Sequence, residues 1–147
     1  VEELRAGDLV APSPDYRASM GTGEGAAVLM GVLRGSARLY YPATDQSYWV
    51  PLRLVRPIPP EVLPPECLER YLADLLHFLD ADECVVERLS SGTLGLSIEV
   101  PRLTRAQLDQ LGGRPGLRDL EVTPASMRGL TLKLDLGSLP AAAGGGR

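Results

Sequence analysis

Five prolines stand between Arg56 and Glu66, at Pro57, Pro59, Pro60, Pro64 and Pro65. Proline fixes its own φ and pushes the residue before it out of the helical region, so this stretch predicts a stiff, extended connector. The hydrophobic rhythm differs on its two sides. Before it, apolar residues alternate in short runs broken by Gly, Pro, Asp and Ser; after it, leucines first recur at helical spacing. The expected organisation is a β-barrel over residues 1–58, a connector over 59–64, an α+β domain over 65–138 and a flexible tail over 139–147.

The first module predicts short strands around Leu9-Val10, Ala26 to Leu33, Ala37 to Tyr41 and Tyr48 to Leu52. Alternation places Val28, Met30 and Val32 on one face, and Leu39 and Tyr41 opposite Arg38 and Tyr40. Tyr48, Val50 and Leu52 share a face opposite Trp49. A turn is expected at Ala6-Gly7 and a hairpin turn at Arg34-Gly35-Ser36. Curled strands of this length closed by tight turns predict a small SH3-like or Tudor-like barrel.

The second module predicts an amphipathic helix from Cys67 to Leu79, with Leu68, Leu72, Leu75, Leu76 and Leu79 on one stripe. Asp80-Ala81-Asp82 ends it. Strands follow at Cys84 to Leu89 and Thr93 to Val100, joined by Ser90-Ser91-Gly92. Thr104-x-x-Gln107 has the form of a capping box, and Gly112-Gly113 supplies a stop. Two more strands are expected at Leu117 to Thr123 and Arg128 to Leu136. The order αββαββ implies a four-stranded antiparallel sheet with two helices on one face. A gapless internal match aligns Val86-Glu87 with Leu120-Glu121, and Gly95 to Ile98 with Gly129 to Leu132.

Composition narrows the chemistry. The chain has 147 residues and a formal charge of −4, with 44% apolar and only 5% aromatic residues. An acidic chain of this kind argues against general phosphate-backbone binding, although Arg34, Arg38, Arg53 and Arg56 could form a local basic face. Basic partners fit the net charge better than acidic ones. No apolar run is long enough to predict a membrane span, and no signal peptide is evident. Cys67 and Cys84 lack metal spacing and read as free buried thiols in a reducing compartment, cytoplasmic or nuclear. The absent initiator Met and the AAAGGGR ending suggest a segment of a longer protein.

No catalytic constellation is expected. His77 is the only histidine and reads as a partly exposed helix residue rather than a general base. Asp80, Asp82 and Glu83 match no calcium loop. Gly21-Thr22-Gly23-Glu24-Gly25 leads into a strand instead of a helix N-terminus, so it does not form a phosphate cradle. No cofactor, metal or small-molecule substrate is implied.

The aromatics point to binding. Tyr40 and Trp49 oppose the core-facing set and are expected at the barrel rim, near Tyr16, Glu24 and Asp45. Trp and Tyr are favoured interface anchors. With the neighbouring carboxylates they could instead form a methyl-lysine cage. The expected partner-binding residues are Tyr16, Glu24, Tyr40, Asp45 and Trp49.

A family resemblance follows from these residues. Gly7-x-x-Val10, Asp15-Tyr16, Gly23-Glu24-Gly25, Ala37-x-Leu39-x-Tyr41, Thr44 and Tyr48-Trp49-Val50 resemble the CPH domain of atypical cullins and HERC-type ligases. More distantly, they are similar to the Mind bomb/HERC module. The resemblance covers residues 7 to about 57 and implies partner or substrate recognition within a ubiquitin ligase. The chain departs from the pattern at Val50-Pro51-Leu52 and at Tyr40-Tyr41. Three functions follow as expectations: a non-catalytic protein-interaction segment of a ligase or scaffold, a Tudor-type reader of methylated basic peptides, or a small enzyme within the αββαββ module. The last would need His77 or Cys84 gathered with a carboxylate around a pocket.

Overall fold

A computed structural model describes residues 4–14, 26–89, 93–114, 116–124 and 129–137. Tyr16, Glu24, the Gly21–Gly25 loop and the Ser90-Ser91-Gly92 turn lie outside the described residues. The described residues are rich in strand, with two antiparallel sheets and two α-helices. The chain divides into two compact units, drawn from Val1–His77 and from Phe78–Leu139.

The first unit carries a five-stranded sheet built from β1 (Leu9–Pro12), β2 (Ala27–Leu33), β3 (Ser36–Tyr41), β4 (Gln46–Pro51) and β5 (Val55–Pro57). Its order is β4-β3-β2-β1-β5. Arg34 and Gly35 both have positive φ, 54° and 79°, so the two-residue turn between β2 and β3 is of the primed type that matches strand twist. One sheet face buries Val10, Ala27, Leu29, Ala37, Leu39, Tyr41, Val50 and Val55, with Tyr48 packed against them. The rings of Tyr41 and Tyr48 meet edge to face at 5.6 Å. The expected inward set of β3 and β4 is therefore observed.

β2 departs from simple alternation. Its pairing with β3 shifts between Leu29 and Gly31, so Leu29 faces Leu39 while Gly31 faces Arg38. Met30 is the extra residue of a bulge, and every residue after it changes face. Val32 consequently pairs with Ala37 on the Leu29 side instead of sharing the Val28 face, and it is exposed.

After β5, Ile58 donates its N–H to Leu9 O at 2.9 Å, and Pro60–Val62 forms one 3-10 turn. Helix α1 spans Leu68–Leu79 and buries Leu68, Leu72, Leu75, Leu76 and Leu79. Asp80, at φ 53°, ends it in the left-handed conformation. All of α1 except Phe78 and Leu79 falls in the first unit.

The second unit contains β6 (Glu83–Arg88), β7 (Leu94–Val100), α2 (Arg105–Gly112), β8 (Leu117–Pro124) and β9 (Leu130–Leu136), with sheet order β6-β7-β9-β8. Leu94, Leu96, Ile98 and Val100 of β7 are buried, as are Leu132, Leu134 and Leu136 of β9. The Thr104 capping box is present in both directions: Gln107 N–H donates to Thr104 Oγ1 at 3.1 Å, and Thr104 N–H donates to Gln107 Oε1 at 2.9 Å.

The two outer ladders of this sheet correspond in a register that differs from the gapless match. Val86 pairs with Leu96, and Val122 pairs with Leu132; Cys84 pairs with Ile98, and Leu120 with Leu134. Each equivalent pair is offset by 36 residues (122 − 86, 120 − 84), so the counterpart of Val86 is Val122 and not Leu120. Both offsets are even, which preserves the inward and outward faces and hides the slip from any pattern argument.

Thr104→Ala removes one half of the box, and a helix cap of this kind is worth about 1 kcal/mol. Urea unfolding of the variant should show a loss of that size, while Thr104→Ser should retain most of the stability.

Candidate functional site

Two places in the first unit gather functional side chains. The first is the face of β3 and β4 opposite the Leu39–Tyr41 core. Directly paired residues share a face, so the rungs Arg38–Trp49 and Ser36–Pro51 lie side by side there. Gly31 lies beyond Arg38 and Leu33 beyond Ser36. Trp49 is 46% exposed and Leu33 is 57% exposed. The Arg38 guanidinium lies over the Trp49 ring, 4.9 Å from its centroid. Gly31 offers no side chain on the other flank, which leaves the long arginine free to lean onto the indole. An exposed cation–π contact of this type contributes about 0.5–1 kcal/mol and holds the indole in one orientation.

The surrounding sequence is locally basic. Between Ala26 and Arg56 it has four arginines, Arg34, Arg38, Arg53 and Arg56, and one carboxylate, Asp45. Leu52 N–H donates to Gly35 O at 2.8 Å, so the 3-10 turn carrying Arg53 is tied to the hairpin turn that carries Arg34.

The expected site residues fare unequally. Trp49 is exposed as anticipated. Tyr40 is not at the rim: it pairs with Ser47 on the Trp49 face but is only 1% exposed. Its neighbour on β2, Val28, is fully buried too. Alternation told which face Tyr40 occupies, but the sheet is covered on both faces at that rung. Tyr40 O–H donates to Asp45 Oδ1 at 2.7 Å, so the structure does bring those two together, as a buried ring tied to a turn carboxylate. Tyr16 and Glu24 lie outside the described residues.

The second place is a cavity of about 220 Å³ bordered by Leu9, Ile58, Arg70, Asp74, Asp8 and His77, among others. His77 Nε2 lies 2.9 Å from Asp8 Oδ1, across 69 residues of sequence. The other Asp8 oxygen accepts the Arg5 N–H at 2.9 Å. Gly7 makes the approach possible. Its φ is 99°, and a Cβ there would stand 2.8 Å from His77 Cδ2 and 3.0 Å from Leu76 Cβ. No local motif announces this pair, because only the docking of α1 beside the Gly7-Asp8 turn creates it. Among the described residues that border the cavity there is no Ser, Thr, Cys, Lys or Tyr.

Both cysteines are buried, and neither forms a disulfide. Burial pushes the Cys67 thiol upward, and the Glu69 carboxylate adds to that, against the lowering effect of the Arg70 backbone N–H. A thiol held protonated is a poor nucleophile. No group of His, Cys, Asp and Glu suited to a metal ion occurs among the described residues. Nor is any described helix long and apolar enough to cross a membrane.

Comparison with known proteins finds no match among protein families, curated proteins or solved structures.

Three outcomes are expected. Gly35→Ala, where a Cβ meets nothing within 4 Å, should cost only the left-handed backbone penalty of about 1 kcal/mol. Gly7→Ala adds a steric conflict with α1 and should cost about 3 kcal/mol by urea unfolding. Neither thiol should react with a disulfide reagent in the folded protein, and both should react at once in denaturant.

Proposed function

We propose that this chain is a non-catalytic protein-interaction segment whose contact surface is centred on Trp49. The observation that carries it is an indole left half exposed and held in place by Arg38, beside exposed Leu33 on the same sheet face. A solvated Trp costs hydrophobic free energy unless something covers it. Rigid aromatic anchors next to arginine are the composition of binding hot spots. The first unit is read as a small SH3-like or Tudor-like barrel that displays this surface. Its resemblance to CPH and Mind bomb/HERC modules favours partner recognition within a larger ligase or scaffold.

The other two readings have less support. A methyl-lysine cage needs several converging exposed rings, whereas Tyr40 is buried and a cation of the protein itself already covers one face of Trp49. An enzyme would draw on the His77–Asp8 pair, but the described residues bordering the cavity beside it offer no hydroxyl, thiol or amine nucleophile.

Affinity capture with the wild-type chain, with Trp49→Ala and with Val85→Ala as an exposed control in the second unit tests the proposal. Circular dichroism and urea unfolding establish that each variant is folded. Proteins retained by the wild type should be held at least about tenfold more weakly by Trp49→Ala and equally by Val85→Ala. Equal retention by wild type and Trp49→Ala would remove Trp49 from the interface and sink the proposal.

A further inference from the structure

Four strands form the edges of the two sheets, β4 and β5 in the first and β6 and β8 in the second. An edge exposes a row of backbone N–H and C=O groups that will pair with any available strand. Proteins guard such edges with charges, prolines, bulges or short length. Three of the four are guarded in this way. β5 has three residues and ends in Pro57. β6 carries Glu83 and Glu87. β8 carries Arg118, Asp119 and Glu121, is bulged between Leu117 and Asp119, and ends in Pro124.

β4 has neither a charged residue nor a bulge. It reads Gln46-Ser47-Tyr48-Trp49-Val50-Pro51, with proline only at its last position. Its ladder with β3 runs without a shift from Tyr41–Gln46 to Ser36–Pro51. Among the described residues no strand pairs with its outer side. Tyr, Trp and Val in sequence also favour an extended, pleated backbone. The strand that lacks protection is the one that carries the half-exposed Trp49.

We infer that β4 is a strand-addition site, where an extended, acidic segment of a partner protein pairs with the open edge. The inference rests on the Trp49-centred surface proposed above and names its occupant. An added strand would set a side chain directly beside Trp49, continuing the rung that already runs through Arg38 and Gly31. Main-chain hydrogen bonds hold such a peptide, and alternate side chains choose it. An apolar residue suits the position beside the indole. Carboxylates on the neighbouring positions suit Arg34, Arg38 and Arg53, since the stretch Ala26 to Arg56 has four arginines against Asp45 alone. The same charges disfavour a second copy as the occupant, because pairing β4 with β4 would bring two arginine-rich surfaces together.

Trp49 is the only tryptophan, so its fluorescence reports directly on occupancy. Three synthetic peptides are titrated into the full chain: a short alternating Glu-Val peptide, the same peptide with two central valines replaced by proline, and an alternating Lys-Val peptide. The Glu-Val peptide should shift Trp49 emission saturably. The proline peptide keeps the charge but loses backbone donors, and should bind at least about tenfold more weakly. The Lys-Val peptide should also bind at least about tenfold more weakly. Binding of the Glu-Val peptide should fall several-fold as salt rises from about 0.05 to about 0.5 M.

Equal binding of the Glu-Val peptide and its proline form would overturn strand addition and leave a purely electrostatic contact. Absence of saturable Glu-Val binding would overturn it as well. If Trp49-dependent capture of proteins persisted in that case, the indole surface would stand without the edge; if capture were lost too, both proposals would fall.

Discussion

The primed turn at Arg34-Gly35 fixes β3 against β2, and the bulge at Met30 then decides which β2 side chains reach which face. Everything on the candidate surface follows from that register. With β3 placed, its unbroken ladder to β4 sets Arg38 opposite Trp49 and Leu39 opposite Tyr48. A slip of one residue would turn Trp49 into the core and Tyr48 and Val50 into solvent. The buried row of Leu29, Leu39, Tyr41 and Val50 opposes such a slip, because each large side chain moved into water costs about 1.5–3 kcal/mol. The bulge also brings Gly31 level with Arg38. A guanidinium with no neighbour on one side and an indole on the other has one favourable place to lie.

Charge is unevenly distributed along the chain, and its net value conceals this. In the second unit the pairing register assigns Glu83, Glu87, Glu99, Asp119, Glu121 and Asp135 to the sheet face opposite the buried leucines, with Lys133 among them. Glu83 is directly opposite Glu99, and Asp119 is directly opposite Asp135. Like-charged cross-strand pairs are unfavourable, and the structure relieves the second in part: Thr93 Oγ1 donates to Asp135 Oδ1 at 2.6 Å, and Arg118 Nε approaches Asp135 Oδ2 at 3.9 Å. Much of the acidity therefore belongs to one solvated face. The stretch that carries Trp49 has the opposite balance, with four arginines between Ala26 and Arg56 against Asp45 alone.

Much of this was legible in the sequence because it is local or periodic. The Arg34-Gly35 turn, the Thr104 capping box, the stripe of α1 and the inward leucines of β7 and β9 each declare themselves within a few residues. The Met30 bulge does not, since an apolar run reads alike with or without an extra residue. The burial of Tyr40 was also out of reach: alternation assigns a face, but only tertiary packing decides whether that face meets water. The true offset of the repeat was hidden for a similar reason, because a shift by two residues leaves every side chain on its face. Of the candidate surface, the outward face of Trp49 could be read; what escaped was the arginine on the indole and the contrast between β4 and the other edges.

The His77–Asp8 pair joins two stretches of the first unit that lie 69 residues apart in sequence. A carboxylate on an imidazole nitrogen orients the ring, which is the first half of many acid–base sites. The second half is a group to act upon, or a substrate held beside the free nitrogen. Here the carboxylate has another task, accepting the Arg5 N–H, while Gly7 N–H donates to Leu29 O and Leu29 N–H donates to Asp8 O. The turn is thus tied to β2 by its backbone and to α1 by its side chain. Gly7 is confined by both its φ and the nearness of Leu76 and His77. A histidine fixed at the end of so many constraints is well placed to hold α1 beside the Gly7-Asp8 turn.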